Sequence, residues 1–190
     1  SNQLPNGSLK LSDVSSSWLD HRVDRMAAIL VPAGTAPAAL VPAGHFRVRW
    51  EGYVRLPLPL KARFFAECDG AAAVMVNDAR VELAFTTGKP GRSTESAGAT
   101  HEISLQGGLN KLVVEYRSPP AGTARFRLFW ESAEFAREPL PPSVLFHSSD
   151  DGQLQDATTL RRGRSLFESL KCSACHASSH SATPVELRAV

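Results

Sequence analysis

Lys171-Cys172-Ser173-Ala174-Cys175-His176 carries the most distinctive chemistry in this sequence. Two thiols separated by two residues and followed at once by histidine match the attachment spacing of a covalently bound c-type haem. Cys172 and Cys175 stand about one helical turn apart, so both sulfurs reach the two vinyl groups on one edge of a porphyrin. His176 then falls beneath the iron, where a neutral imidazole nitrogen serves as the proximal ligand. A bare Cys-x2-Cys is weak, because redox dithiols and half zinc sites share it. The adjacent histidine makes the pattern specific.

The preceding residues predict a helix from Thr158 to Lys171. Leu160, Gly163, Phe167 and Leu170 recur at three- and four-residue spacing, with Arg161, Arg162, Arg164 and Glu168 on the other face. Asp156, Thr158 or Thr159 is positioned to cap its start. A glycine on the apolar stripe of a helix costs roughly 1 kcal/mol relative to alanine, which close approach by a second helix would explain. Gly163, Phe167, Cys172, Cys175 and His176, in that order, resemble the N-terminal helix and haem-attachment loop of class I cytochromes c. The resemblance covers about Leu160 to His176. It implies haem c, electron transfer and a redox partner protein, with the glycine and the aromatic ring packed against a C-terminal helix. Residues 177–190 are too few for the family's remaining helices. The only methionines, Met26 and Met75, lie upstream, so the family's methionine ligand has no counterpart. His180 falls on the same side of the haem as His176. The expectation is a chain that stops inside a cytochrome domain, either cut from a longer protein or having lost its haem module. Made without attachment machinery, it is expected to lack haem and to carry a loosely held tail from about residue 148.

Other chemistry competes for the same thiols. Cys172-x2-Cys175-x4-His180 begins like a zinc knuckle, but the position where a fourth ligand is expected holds Val185. His176 would have to complete that set. A thioredoxin-like dithiol should follow a strand and open a helix, whereas this motif follows a helix. Without haem or zinc, the thiols stand reduced or joined in a disulfide.

Composition limits the remaining choices. The 190 residues are 43% hydrophobic and 21% charged with a net charge of +2, enough for one sizeable core and a small appendage. No basic run is interleaved with aromatics, which argues against nucleic acid. Three cysteines are too few for a disulfide scaffold, and Cys68 reads as a buried or half-buried thiol. The most apolar stretch, Met26 to Gly44, is broken by Pro32, Pro37 and Pro42, so no membrane span is expected. Ser1-Asn2 resembles the remainder of a cleaved tag. Haem attachment of this type takes place outside the bacterial cytoplasm, so the motif implies an exported protein, periplasmic or extracellular.

The expected organisation is an irregular segment over 1–43 packed on the sandwich, a β-sandwich over 44–146, a linker over 147–157 and the start of a cytochrome domain over 158–190. Leu30-Val31-Pro32-Ala33-Gly34 recurs as Leu40-Val41-Pro42-Ala43-Gly44. Two copies make no solenoid and predict extended edges or turns around a Pro/Ala-rich loop.

From Gly44 to Glu131 apolar and polar residues alternate with period two about seven times. Phe46, Val48 and Trp50 face one way, Arg47, Arg49 and Glu51 the other. Phe64 and Ala66, then Val81, Leu83 and Phe85, then Leu112, Val114 and Tyr116, then Phe126, Leu128 and Trp130 repeat the pattern. Asn77-Asp78 supplies a hairpin turn. The reading is mostly β, an antiparallel sandwich or barrel with a short C-terminal helical segment.

Three segments carry a second resemblance. They are Phe46 to Val54 with its Trp50-x-Gly52 strand, Ala66-Glu67-Cys68-Asp69-Gly70, and Leu128-x-Trp130 leading to Glu138 through Ser143 and Leu145-Phe146. Together they resemble the β-sandwich domain named after anthrax protective antigen, over about Gly44 to Phe146, so the sandwich over 44–146 is expected to be of the protective antigen type. The resemblance implies a carbohydrate- or surface-binding module, with a glycan or cell-surface polymer as partner. Some members bind sugar through calcium held by adjacent aspartates on a mid-domain turn. Here Cys68 replaces the first aspartate, a poor ligand for a hard cation. Asp69, Asn77 and Asp78 remain as ligand-binding residues, although turn chemistry already accounts for all three, and calcium is not expected.

No hydrolase is assembled from the scattered His21, His45, His101 and His147, so no catalytic activity is expected in this chain. Ser148, Ser149, Asp150 and Asp151 read as a solvated linker. Two functions stay open: an exported haem protein for electron transfer that uses the sandwich for targeting, and a binding module without a redox role.

Overall fold

The alternation seen in the sequence becomes two packed sheets. The computed structural model describes residues 20–38, 40–81, 83–86, 95–99, 102–148, 152–171 and 185–189. One sheet holds β1 (Asp20–Arg22), β14 (Val185–Ala189), β3 (Phe46–Leu56), β10 (Gly108–Arg117), β5 (Ala71–Val76) and β6 (Ala79–Val81), in that order. A short β13 (Leu145–Phe146) also pairs with β3. The other sheet holds β12 (Glu138–Pro139), β11 (Ala124–Ser132), β4 (Leu60–Asp69), β8 (Glu95–Ala99) and β7 (Leu83–Thr86). In it β2 (Ala28–Val31) lies beside β11, and β9 (Ile103–Leu105) beside β4. Pairing is antiparallel except for β14, which runs parallel to both β1 and β3. The fold is therefore a mostly β sandwich with one C-terminal helix.

The apolar set of each strand meets between the sheets. Phe46, Val48, Trp50, Val54 and Leu56 of β3 are buried, as are Ala124, Phe126, Leu128 and Trp130 of β11. Trp50 stacks on Phe126 across the two sheets, with ring centroids 5.2 Å apart and planes 23° apart. Tyr116 packs on the same ring at 5.4 Å. Aromatic pairs of this kind add about 0.5–1.5 kcal/mol beyond their buried area. Cys68 is fully buried, the inert position expected of it.

The chain crosses between sheets at Gly70, where φ is 122° and an added Cβ would lie 2.3 Å from the Arg117 carbonyl oxygen. Only glycine fits there. The Tyr116 hydroxyl donates to the Asp69 carbonyl oxygen at 2.6 Å, tying the two sheets at this crossing. Asn77 and Asp78 form the expected hairpin between β5 and β6, both with positive φ (49° and 64°).

Three elements differ from expectation. The segment before Gly44 is not irregular throughout, because β1 and β2 form there and β2 extends the second sheet along β11. Its signal was faint: β2 is only four residues and Leu30 is exposed. The Gly/Ser/Thr-rich stretch before His101, which its composition marks as a loop, contains β8, where the absence of large apolar residues left no alternation. The helix, α1 (Gly152–Ser169), starts six residues earlier than Thr158. Asp156 therefore lies inside the helix, and the Thr158 and Thr159 hydroxyls bond back to Leu154 and Gln155 instead of capping. The apolar stripe of the helix, whose partner helices are not expected in so short a remainder, stands exposed. Leu160 and Leu170 are 61% and 71% exposed, and among the described residues nothing outside the helix backbone lies within 4 Å of a Cβ built on Gly163. The face that meets β1 carries buried Ala157 and Arg161 instead. Arg161 donates to the His21 carbonyl oxygen and lies 3.6 Å from the buried Asp20 carboxylate.

Candidate ligand-binding cleft

The strands along one edge of β3 leave a gap. β14 pairs with β3 from Phe46 to Trp50, and β13 pairs with Tyr53 and Val54. Glu51 and Gly52 lie between these partners, and a cleft of about 400 Å³ opens beside them. Its second wall is the β1–β2 connection, Val23 to Ala27, and its third is the exit segment from Pro142 to His147. The volume falls in the range of about 300–1,000 Å³ usual for small-ligand sites.

Each wall is fixed by an identifiable interaction. The Trp50 indole Nε1 donates to Asp24 Oδ2 at 3.0 Å, and Arg22 Nε lies 2.9 Å from Asp24 Oδ1. These contacts pin the β1–β2 connection against β3. Gly52 matters through space, since a Cβ there would sit 2.6 Å from the Phe146 carbonyl oxygen. The cleft floor is apolar, with Trp50, Leu112, Met26 and Leu145. Its mouth carries Tyr53 and Phe146, cross-strand neighbours that are 36% and 41% exposed. Arg55 stacks over the Phe146 ring at 5.5 Å. The arrangement offers aromatic faces beside polar groups held in fixed positions.

The residues singled out from sequence lie elsewhere. Asp69 ends β4, with its carboxylate 3.2 Å from Arg125 Nη2. Asn77 bridges strands: its Oδ1 accepts from the Lys111 N–H and its Nδ2 donates to Asn110 Oδ1, both at 2.9 Å. Asp78 lies 3.0 Å from Lys111 Nζ, and this hydrogen bond raises the lysine pKa. β5 separates Asp69 from Asn77 and Asp78 by six residues, about 20 Å of strand, so the three are not brought together. No group of three His, Cys, Asp or Glu placed to hold a metal ion occurs among the described residues. Cys172, Cys175, His176 and His180 lie outside the described residues. Lys171, immediately before the motif, has φ 54° and ends the helical path there.

His45 approaches Ser118, with Nδ1 and Oγ 3.1 Å apart. Ser118 is buried and its Oγ accepts from the Phe46 N–H at 3.0 Å, so the pair closes the start of β3 and exposes no nucleophile. No helix among the described residues is long and apolar enough to cross a membrane.

The fold and cleft define a two-sheet sandwich with a ligand-sized opening at a strand gap. An anti-sigma factor domain-containing protein from Clostridium clariflavum superposes with a TM-score of 0.53 at 18% identity, over 68% of this chain and 42% of its own. A second anti-sigma factor domain-containing protein matches with a TM-score of 0.55 at 21% identity, over 67% and 42%. This chain therefore spans under half the length of these neighbours, and the likeness concerns fold alone. A PA14 sugar-binding domain from an RTX adhesin matches at 22% identity over 52% of each chain, with a TM-score of 0.40. That value is too low to weigh. No protein-family model matches the chain, and no curated protein sequence does.

Proposed function

We propose that the sandwich is a non-enzymatic binding module of an exported protein and that the cleft beside Tyr53 and Phe146 takes a carbohydrate. The observation that carries this reading is the exposed cross-strand aromatic pair at the mouth of a pinned cleft. A sugar ring has an apolar C–H face that stacks on such rings, while its hydroxyl groups bond to fixed polar atoms. Glu51, Asp24 and the Tyr53 hydroxyl offer those atoms. The Trp50-x-Gly52 and Leu128-x-Trp130 strands, read as protective antigen-type, support the same class of module.

The reading is tested with the labelled 190-residue chain on a panel of immobilised polysaccharides. Binding is expected to at least one glycan and to weaken in Tyr53→Ala and Phe146→Ala. Capture of no glycan, with only a protein partner bound, would transfer the cleft to protein recognition.

A second reading rests on Lys171-Cys172-Ser173-Ala174-Cys175-His176. In it, Cys172 and Cys175 carry haem c covalently and His176 is its proximal ligand. The haem supplies one-electron chemistry when bound, and the sandwich holds it near a redox partner protein or polymer. A haem-attaching host and the longer protein provide the test. Porphyrin absorbance is expected to survive acid-acetone extraction and to be lost when both cysteines are replaced, with an altered spectrum in His176→Ala. Stoichiometric zinc without porphyrin absorbance would replace this reading with the knuckle. Calcium is not part of the proposal, since Asp69, Asn77 and Asp78 are separated along β5.

A further inference from the structure

The charges around the cleft are unevenly matched. Asp24 is held by Arg22 and by the Trp50 indole, and Glu51 and Glu115 share Arg49 at 3.2 and 2.5 Å. Asp24 thus has its own cation, while Glu51 and Glu115 divide one between them. Arg25 lines the cleft, is exposed, and has no ion pair among the described residues. Arg55 likewise has no acidic partner there, and its guanidinium lies over the Phe146 ring. An exposed arginine on a loop needs no partner for stability, but here one unmatched guanidinium lines the cleft and a second lies over an aromatic ring of its mouth.

We infer that the cleft is selective for an acidic sugar, a uronic acid within a polysaccharide, with Arg25 as the principal partner of its carboxylate. This rests on the carbohydrate reading of the same cleft. The sugar ring stacks at Tyr53 and Phe146, and the carboxylate meets the planar donor fork of Arg25, whose geometry matches it in bidentate fashion. Arg55 adds a second positive charge over the Phe146 ring. Asp24, paired with Arg22, and Glu51, in contact with Arg49, accept from sugar hydroxyls. A neutral sugar would leave both guanidiniums without a counter-charge, so selectivity follows from charge and not from ring shape.

The 190-residue chain is run in affinity electrophoresis against polygalacturonate and against its fully methyl-esterified form, in the presence of a calcium chelator. Esterification removes the charge and keeps the ring. Retardation by polygalacturonate is expected, to weaken with added salt, and to fall roughly tenfold or more on esterification and in Arg25→Ala, the loss of one charge-assisted hydrogen bond. Tyr53→Ala should weaken it as well, and thermal melting of both variants checks that they are folded. Equal binding of both polymers that still depends on Tyr53 would overturn the acidic selectivity and leave the carbohydrate reading standing. Binding of polygalacturonate unchanged in Arg25→Ala and Tyr53→Ala would mean charge attraction elsewhere on the surface, which also overturns the inference. Retardation by neither polymer, nor by any neutral glycan, would sink both readings.

Discussion

Gly52 and the carbonyl oxygen of Phe146 approach so closely that a Cβ on residue 52 would lie only 2.6 Å from that oxygen. This contact seats β13 on the edge of β3 and sets one wall of the cleft. It gives the Trp50-x-Gly52 pattern a physical meaning: the tryptophan faces the core and pins one wall, while the glycine admits another. Gly52→Ala is expected to displace β13 and lower stability by about 1–3 kcal/mol. Urea denaturation measures the loss. A variant of unchanged stability and ligand affinity would show that β13 seats independently of Gly52.

Asp24 holds the opposite wall through the Trp50 indole at 3.0 Å and Arg22 at 2.9 Å. Asp24→Ala removes both contacts and is expected to cost about 1–3 kcal/mol. Asp24→Asn keeps an acceptor for the indole and should cost less. Equal losses in the two variants would assign the effect to charge alone.

Asn110 is fully buried and knits the β9–β10 turn. Its Oδ1 accepts from the Gln106 N–H at 2.9 Å and its Nδ2 donates to the Gln106 carbonyl oxygen at 2.8 Å. Asn77 adds a further bond to Oδ1. Replacing Asn110 by alanine removes these bonds and the Nδ2 contact to the buried Val54 carbonyl oxygen, and a loss of about 1–3 kcal/mol is expected in chemical denaturation.

Burial raises the Tyr116 pKa above its ordinary value of 10.0, with nearby Cys68 and Asp69 acting in the same direction. The folded state therefore holds the phenolic proton more tightly than the unfolded chain. Its contribution to stability is complete below about pH 10 and is lost as the pH rises above that value. Stability measured from pH 8 to 12 should fall in this window. In Tyr116→Phe the fall should be smaller, with a baseline about 1 kcal/mol lower from the lost bond to the Asp69 carbonyl oxygen. An identical alkaline fall in both proteins would assign it to other groups.

Long alternating strands were the most legible part of the sequence. Phe46–Val48–Trp50 and Phe126–Leu128–Trp130 announce their inward faces because large apolar residues alternate with charges, and both faces pack as read. β8 was hidden because Glu95–Ala99 offers no large apolar residue, and β1 was hidden because three residues carry no period. The start of α1 was misplaced because threonines that commonly cap helices also tolerate back-bonding within one. The cleft was only half legible. Tyr53 and Phe146 stand in segments that the sequence already marks, but Asp24 and Arg25 belong to a connection without a pattern. Nothing local shows that β13 and β14 stop short of one another along β3. That gap is a property of pairing between distant segments. Asp69, Asn77 and Asp78 attracted notice as oxygen donors, yet their positions beside turns already determine their partners.

The Trp50 indole N–H gives the most direct measurement, because it borders the cleft and bonds to its pinned wall. In a titration of ¹⁵N-labelled chain with an oligosaccharide that the immobilised panel identifies, this signal and the Gly52 and Tyr53 amides are expected to shift together and saturate. Signals near Asp69 and Asn77 should stay in place. Shifts that cluster around Asp69 or Asn77, with the Trp50 indole unmoved, would contradict the cleft as the binding site.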